Sequence, residues 1–184
     1  MPHHVDTARL HLDAVTDSDL EDLHSLSADP RVWEHFPSGR HLDLDTTRRQ
    51  VELFVGAWRA DGLGYWTARL RATGEFLGVG GCMLRHGLAW NVYYRFRPEA
   101  QGNGYASELV SAALRAAAQV RPELPVVAYM VEHNVASWRT ASRSGLRQVW
   151  RGPDAGNPDP SIVRLIYADR DLDDRTLAAL TGNA

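Results

Sequence analysis

The residues Gln101-Gly102-Asn103-Gly104-Tyr105-Ala106 set two glycines between an apolar, strand-like run and a long amphipathic segment, within the stretch Tyr93 to Ala118. A helix start leaves about four backbone N–H groups without intrahelical partners and carries the positive end of the helix dipole. Glycines there let an anion approach those donors with no Cβ in the way. The spacing points to a phosphate-binding turn; the alternative is a glycine-containing helix start that serves packing alone. Two common phosphate loops do not fit. A dinucleotide fingerprint needs G-x-G-x-x-G after the first strand of a βαβ unit, whereas the sixth position here is Ser107 and the preceding strand belongs to a meander. A Walker loop needs Gly-Lys-Ser/Thr, which the chain lacks. Gly78-Val79-Gly80-Gly81 lies inside a strand-like run, where glycines mark a bulge or close backbone approach more often than a phosphate cradle.

The elements that must position this turn follow from periodicity. Ala8 to Val15 alternates apolar and polar residues and predicts a strand. Thr16 to Asp19 is close to a capping box, opening a helix that carries Leu20, Leu23 and Leu26 and stops before Asp29-Pro30. Arg31 to Arg40 is irregular, and its Trp33 and Phe36 form either a core plug or a pocket wall. Asp43 or Asp45 caps a helix to about Ala60 with Val51, Phe54, Val55 and Trp58 on one face, ended by Asp61-Gly62. Gly64 to Arg71, Glu75 to Leu84 and Leu88 to Phe96 read as an antiparallel meander, turning at Ala72-Thr73-Gly74 and at His86-Gly87.

Beyond the long helix, Pro125 to Val131 predicts a strand and Asn134 to Ser144 a helix ending at Gly145. Arg147 to Trp150 is a short strand, Arg151 to Pro160 a loop, and Ile162 to Ala168 a last strand pairing antiparallel with the short one. The tail from Asp169 is polar, with one weak helical turn near Leu177 and Leu180. The order β-α-α-β-β-β-α-β-α-β-β describes an α+β fold, a mixed sheet with helices on both faces, and not a doubly wound nucleotide fold.

Composition narrows the class. At 184 residues, 44% hydrophobic and 23% charged, the chain reads as a single domain spanning residues 1–184. A formal net charge of −3 gives no electrostatic argument for nucleic acid or an anionic membrane. The lone Cys82 excludes an internal disulfide and a multi-cysteine metal site. His3, His4, His11, His35 and His41 show no metal-ligand spacing, so no metal is expected. No apolar run approaches the roughly 20 residues of a membrane helix, and the N-terminus has no signal-peptide core. The expectation is a cytoplasmic enzyme or binding protein, monomeric or a homodimer made by edge pairing or a swapped C-terminal strand.

Gln101-x-x-Gly104-x-Ala106 resembles the Q/R-x-x-G-x-G/A signature of the GNAT superfamily of acyl-CoA-dependent N-acyltransferases. Its context strengthens the likeness: Pro98-Glu99 precedes it, Glu108 follows it, and Asn134-Val135-Ala136-Ser137, Gly145-Leu146 and a terminal hairpin ending in IVRLIYA come later in that order. The arrangement is similar to the subgroup of ribosomal-protein N-terminal alanine/serine acetyltransferases, from about Thr7 to Leu172 in element order, with specific motifs only from Val92 to Leu146.

The resemblance implies a mostly antiparallel sheet, splayed between two strands, and acetyl-CoA as co-substrate. Backbone N–H groups of Gly102, Asn103, Gly104, Tyr105 and Ala106 would hold the pyrophosphate, with Gln101 fixing the turn. The preceding strand would bend at a bulge and part from Pro125–Val131, so that the edge near Phe96 and Arg97 pairs with the pantetheine amides. Asn134 and Ser137 would face the pantetheine and thioester; a plain N-cap and its polar third position are the alternatives.

The reaction implied is direct attack of a neutral primary amine, on a protein N-terminus or a small molecule, on the thioester. An alkylamine near pKa 10 must first lose a proton, and a departing thiolate near pKa 8.5 benefits from a donor. Many members carry tyrosine seven residues after the asparagine, but that position is Ala141; the subgroup it resembles uses the serine instead, which makes Ser137 the candidate donor. Related enzymes often have glutamate where this chain has Asn91, a residue able to position water but not to act as a base. Glu132, His133 and Glu75 are the candidate bases, and Tyr94 and Tyr129 could line the cleft. The missing groups keep a second reading open, a non-catalytic acyl-CoA-binding or regulatory module. Covalent transfer through Cys82 is a third, against the usual buried structural thiol.

Overall fold

The computed structural model describes residues 3–155, 157 and 159–182. Its centre is an eight-stranded sheet in the order β1-β2-β3-β4-β5-β6-β8-β7. The strands are β1 (His4–Asp6), β2 (Leu10–Ala14), β3 (Tyr65–Leu70), β4 (Phe76–Arg85), β5 (Ala89–Phe96), β6 (Val126–Val131), β7 (Arg147–Pro153) and β8 (Val163–Ala168). The helices are α1 (Leu20–Ala28), α2 (Leu44–Asp61), α3 (Tyr105–Val120), α4 (Val135–Arg143) and α5 (Asp174–Thr181). The predicted meander, both crossover helices and the terminal hairpin are all present. No described helix is long and apolar enough to cross a membrane.

Local chemistry explains most boundaries. Asp43 caps α2 by accepting from Thr46 N–H at 2.7 Å, and Gly62 ends it at φ 72°. Val51, Phe54 and Trp58 on its inner face are buried. His86 and Gly87 both take positive φ in the β4–β5 hairpin, at 54° and 69°, the geometry that matches strand twist in a tight turn. Trp33 is a core plug: it is buried and its indole N–H donates to Ser27 O at 2.7 Å, whereas Phe36 is 44% exposed.

Three elements depart from the sequence expectation. β1 is an added edge strand too short to show a period, held on β2 by the pairs His4↔Asp13 and Asp6↔His11. β7 runs on to Pro153 because its partner β8 continues beside it to Val163, so the predicted loop begins later. α5 is a formed helix, capped by Asp173 and fastened by Leu180, 2% exposed, against Val127 and Ile166.

The sheet parts where the site lies. β5 and β6 are parallel and share only the pairs Trp90↔Val126 and Asn91↔Val127, after which β5 continues alone from Val92 to Phe96. The expected bulge in β5 is absent: its register with β4 runs unbroken from Gly78↔Phe96 to Arg85↔Ala89. Glycines on β4 instead permit a close approach of the two strands. A Cβ on Gly78 would stand 2.2 Å from Arg95 O, and one on Gly80 2.5 Å from Tyr93 O. β5 therefore lies tight on β4.

The two faces of β5 meet different cores. Trp90, Val92 and Phe96 pack with Leu109, Val110 and the alanines of α3. Tyr93 packs on the other face with Val51, Phe54 and Tyr65, under α1 and α2.

Candidate functional site

The glycine turn follows β5 directly. Gln101 Nε2 donates to Phe96 O at 3.2 Å, tying the turn back to the strand end as expected. Asn103 Nδ2 donates to Ala100 O at 3.3 Å and to Gln101 O at 3.1 Å. Gly102 and Gly104 take φ 78° and 80°, a conformation costly for any residue with a Cβ. The first bond of α3 runs from Glu108 N–H to Gly104 O, so Tyr105, Ala106 and Ser107 present N–H groups that precede it. Among the described residues, Gly102 to Ala106 have no acceptor for their backbone N–H groups.

Thr7 and Arg9 complete this corner and escaped the sequence reading. Arg9 Nη1 donates to Asn103 O at 2.8 Å, its Nε to Glu108 Oε2 at 2.8 Å, and its guanidinium lies 4.7 Å from the Tyr105 ring centroid. Thr7 Oγ1 donates to Glu108 Oε1 at 2.5 Å and Arg9 N–H to the same oxygen at 2.7 Å. Burial disfavours the Glu108 carboxylate, but these hydrogen bonds outweigh it and hold its pKa below the ordinary value. An acid one turn from an anion site is thereby neutralised. The only sequence signal was an acid three residues into a phosphate turn, which calls for a cation.

Across the splay, α4 begins at Asn134, whose Oδ1 accepts from Ser137 N–H at 3.2 Å. The cap role weighed for Asn134 is therefore present. Tyr94 Oη donates to Ser137 O at 2.7 Å and lies 3.1 Å from Ser137 Oγ. Burial pushes the Tyr94 phenol up, against the pull of Ser137 and Thr140, so it stays protonated. Ala141 is fully buried in the α3-side core and offers no donor there.

On the α1–α2 face stand Asn91, Tyr93 and Arg95. Asn91 Oδ1 is buried without a hydrogen-bond partner. Tyr93 stacks on Tyr65 with ring centroids 5.1 Å apart, and burial drives both phenols up. The Arg95 guanidinium lies 3.3 Å from the Trp33 ring centroid. The aromatic loop reaches across to the β6–α4 turn, where His133 Nε2–H donates to His35 O at 3.0 Å. His35, not singled out from sequence as a base, has its pKa lowered, first by burial and then by the charges of Arg95 and His133.

The candidate bases fare differently. Glu132 is directed away from the splay: its N–H pairs with Val163 O of β8, and Arg151 of β7 holds both carboxylate oxygens at 2.7 and 2.9 Å. That pairing lowers its pKa and leaves it ionised and occupied. Glu75 lies exposed in the β3–β4 hairpin, on the opposite side of β4 from β6. His133 stands at the splay with one nitrogen committed to the loop carbonyl. Tyr129 lies beneath the guanidinium groups of Arg85 and Arg164. Cys82 is buried, its thiol directed 3.8 Å from Ala113 O and its pKa pushed far up by burial, so it is no nucleophile. The β1–β2 pairing does gather His4, Asp6 and His11, with ligand atoms within 4.8 Å of one another, a cluster invisible without β1.

Residues 9–147 match the family model described as Acetyltransferase (GNAT) domain. Uncharacterized protein YkkB of Bacillus subtilis (strain 168) is 29% identical over 144 residues, covering 76% of this chain and 83% of YkkB. RimL, a ribosomal L7/L12 alpha-N-protein acetyltransferase solved in complex with coenzyme A, aligns with a TM-score of 0.77 at 21% identity, over 92% of this chain and 98% of that one. The microcin C7 self immunity acetyltransferase MccE, solved with acetyl-CoA and AMP, aligns with a TM-score of 0.75 at 14% identity, over 94% and 98% of the two chains. These two structural likenesses establish the fold.

Proposed function

Because the chain belongs to the GNAT acetyltransferase family, we propose that it is an N-acetyltransferase, moving the acetyl group of acetyl-CoA to a primary amine by direct attack. The observation that carries this reading is the juxtaposition of a strand edge without a partner, Val92 to Phe96, with a turn of unengaged N–H groups at Gly102 to Ala106. An extended amide chain ending in a pyrophosphate satisfies both, the first by β-like pairing and the second by charge-assisted bonds. That RimL was solved with coenzyme A and MccE with acetyl-CoA supports the choice of ligand.

The reacting groups then have assigned tasks. Ser137 Oγ, in the first turn of α4, donates to the departing thiolate once it turns from Tyr94. Tyr94 and the Asn134 cap hold that turn in place. The amine enters from the face bearing Asn91, whose unpartnered Oδ1 accepts from the ammonium or from a water beside it. His35, kept neutral by burial, takes the proton through water. A protein N-terminus and a small amine are the two acceptor classes; RimL, a ribosomal L7/L12 alpha-N-protein acetyltransferase, favours trying the first.

Thiol release measured across a panel of amines and peptides tests the reading. Coenzyme A release that depends on an acceptor is the expected result. Tight acetyl-CoA binding with no release over the whole panel would favour the acyl-CoA-binding module instead.

A further inference from the structure

Most arginines of this chain that reach the sheet meet an acid: Arg9 pairs with Glu108, Arg69 with Asp19 and Asp22, Arg164 with Asp154. Arg95 does not. Its Nη1 is shut off from solvent and has no hydrogen-bond acceptor among the described residues. Its neighbours are aromatic or neutral: Trp33 at 3.3 Å, Tyr93 at 5.5 Å, and two histidines, His35 and His41, whose pKa values are lowered by burial and then by its charge. Asp43, the acid that acts on His41, is engaged in capping α2 through Thr46. A guanidinium taken from water without a counter-charge costs several kcal/mol, a cost that packing against an indole only partly offsets.

The placement of this cation is as telling as its isolation. Alternation along β5 puts Arg95 on the face of Asn91 and Tyr93. It sits beneath the loop whose His35 carbonyl meets His133 beside the splay. It lies four positions along the strand from Asn91, about 13 Å at 3.3 Å per residue, and its side chain leans back over Tyr93. Stacking on Trp33 occupies one flat face of the guanidinium, and Nη1 is enclosed, which leaves the Nε–Nη2 edge, the kind of edge that matches an oxyanion in paired N–H bonds.

Resting on the acetyl-transfer reading above, we propose that Arg95 anchors an oxyanion of the acceptor, so that the amine acetylated here carries a carboxylate or a phosphate at its far end. The acceptor then spans the face, amine toward Asn91 and anion against Arg95, closed over by Trp33 and His35. The anion supplies the missing counter-charge, and Arg95 selects the substrate without touching the reacting atoms. Burial lowers the pKa of Arg95, yet an arginine remains charged at neutral pH and able to bind.

The test compares ω-amino acids of increasing chain length with alkylamines and with the matching ω-amino amides, and adds aminoalkyl phosphates as a second arm. Wild-type enzyme is expected to favour one length of carboxylate or phosphate over the neutral amide at least tenfold in kcat/KM; the better arm identifies the oxyanion. Arg95→Gln should remove that preference by raising KM for the anionic acceptors at least tenfold, with a much smaller change in KM for neutral amines. Equal kcat/KM for anionic and neutral acceptors in the wild type would overturn the proposal while leaving acetyl transfer standing. Failure of acetyl transfer on every acceptor would count against the broader reading instead. In that case calorimetric titration of wild type and Arg95→Lys with the ω-amino acids decides: tighter binding by wild type supports the anchor, and no binding by either rejects it. Should Arg95→Gln fail to fold, the wild-type preference and Arg95→Lys decide the same question, since lysine keeps the charge but loses the paired N–H edge.

Discussion

Tyr94 of β5 and Ser137 of α4 are joined across the splay: the phenol donates to the Ser137 backbone carbonyl at 2.7 Å and stands 3.1 Å from the Ser137 hydroxyl. The single phenolic proton goes to the shorter bond, so the serine hydroxyl is the one that donates to Tyr94 and is free to turn elsewhere. Tyr94 thus positions α4 while leaving Ser137 a movable donor.

Removing the hydroxyl of Ser137 should therefore separate chemistry from binding. Ser137→Ala is expected to lower kcat by about 10²-fold, the scale of a lost transition-state donor, with acetyl-CoA affinity changed less than about threefold by calorimetry. Tyr94→Phe removes the tether instead, and should cost about 1 kcal/mol of stability along with a smaller loss of kcat. An unchanged rate in Ser137→Ala would remove that residue from the mechanism.

Gly104 tests the phosphate turn. At φ 80° any side chain is strained, by roughly 1–2 kcal/mol, so Gly104→Ala measures the effect of the strain and the added Cβ without a charge. Gly104→Glu adds a carboxylate where the pyrophosphate is held and is expected to abolish coenzyme A binding, well beyond the alanine variant. Normal affinity in Gly104→Glu would refute the assignment of this turn.

Arg9 is expected to matter to the cofactor though it lies far away in sequence. Arg9→Gln leaves Glu108 with Thr7 and the Arg9 backbone N–H but no cation. A carboxylate newly unneutralised beside the turn repels the pyrophosphate, and acetyl-CoA affinity should fall about tenfold, or about 1.4 kcal/mol. The double variant Arg9→Gln, Glu108→Gln should recover most of it. Equal affinity in all three proteins would show the pair to be purely structural.

These cases mark what can be read from residues and what needs the fold. The turn, its helix and the meander were legible because glycine placement and 2.0 or 3.6 periodicity are local signals. Val51, Phe54 and Trp58 announced their burial in the same way. β1 was not legible: three residues show no period, and only pairing with β2 defines it. The splay was expected to come with a bulge in β5, yet β5 keeps an unbroken register with β4, held close by Gly78 and Gly80. For the site, Glu132 had the type and chain position of a base, but just past β6 its N–H pairs with Val163 of β8 and its carboxylate with Arg151 of β7. Arg9 and Arg95 gave no local sign, since their meaning lies in which acid each one meets or lacks.

Glu132 accordingly has a clear negative expectation. With both oxygens on Arg151 at the far edge of β6, Glu132→Gln should leave kcat/KM within about twofold over the pH range. Loss of that exposed pair should change stability by less than about 1 kcal/mol. A drop of a hundredfold in kcat would return Glu132 to the mechanism and require β6 to rotate in the complex.

His35 carries the pH expectation. Its pKa is lowered from 6.5, first by burial and then by Arg95 and His133, so above pH 6.5 it is neutral and able to accept a proton. An acceptor amine near pKa 10 makes log kcat/KM rise with slope 1 as pH increases. Below the His35 pKa a second proton must leave, and the slope should steepen to 2. In His35→Gln the slope is expected to stay at 1 throughout, with a lower plateau. The same shift has a stability consequence whose sign is fixed: a histidine with a folded pKa below its unfolded value binds protons more readily when unfolded. Its contribution is fully present above pH 6.5 and is lost as pH falls through the lowered pKa, as it is for His41, also lowered chiefly by burial. Thermal unfolding should therefore show Tm falling as pH drops below 6.5, less steeply in His35→Gln. A slope that steepens equally in the variant would assign the second proton to another group.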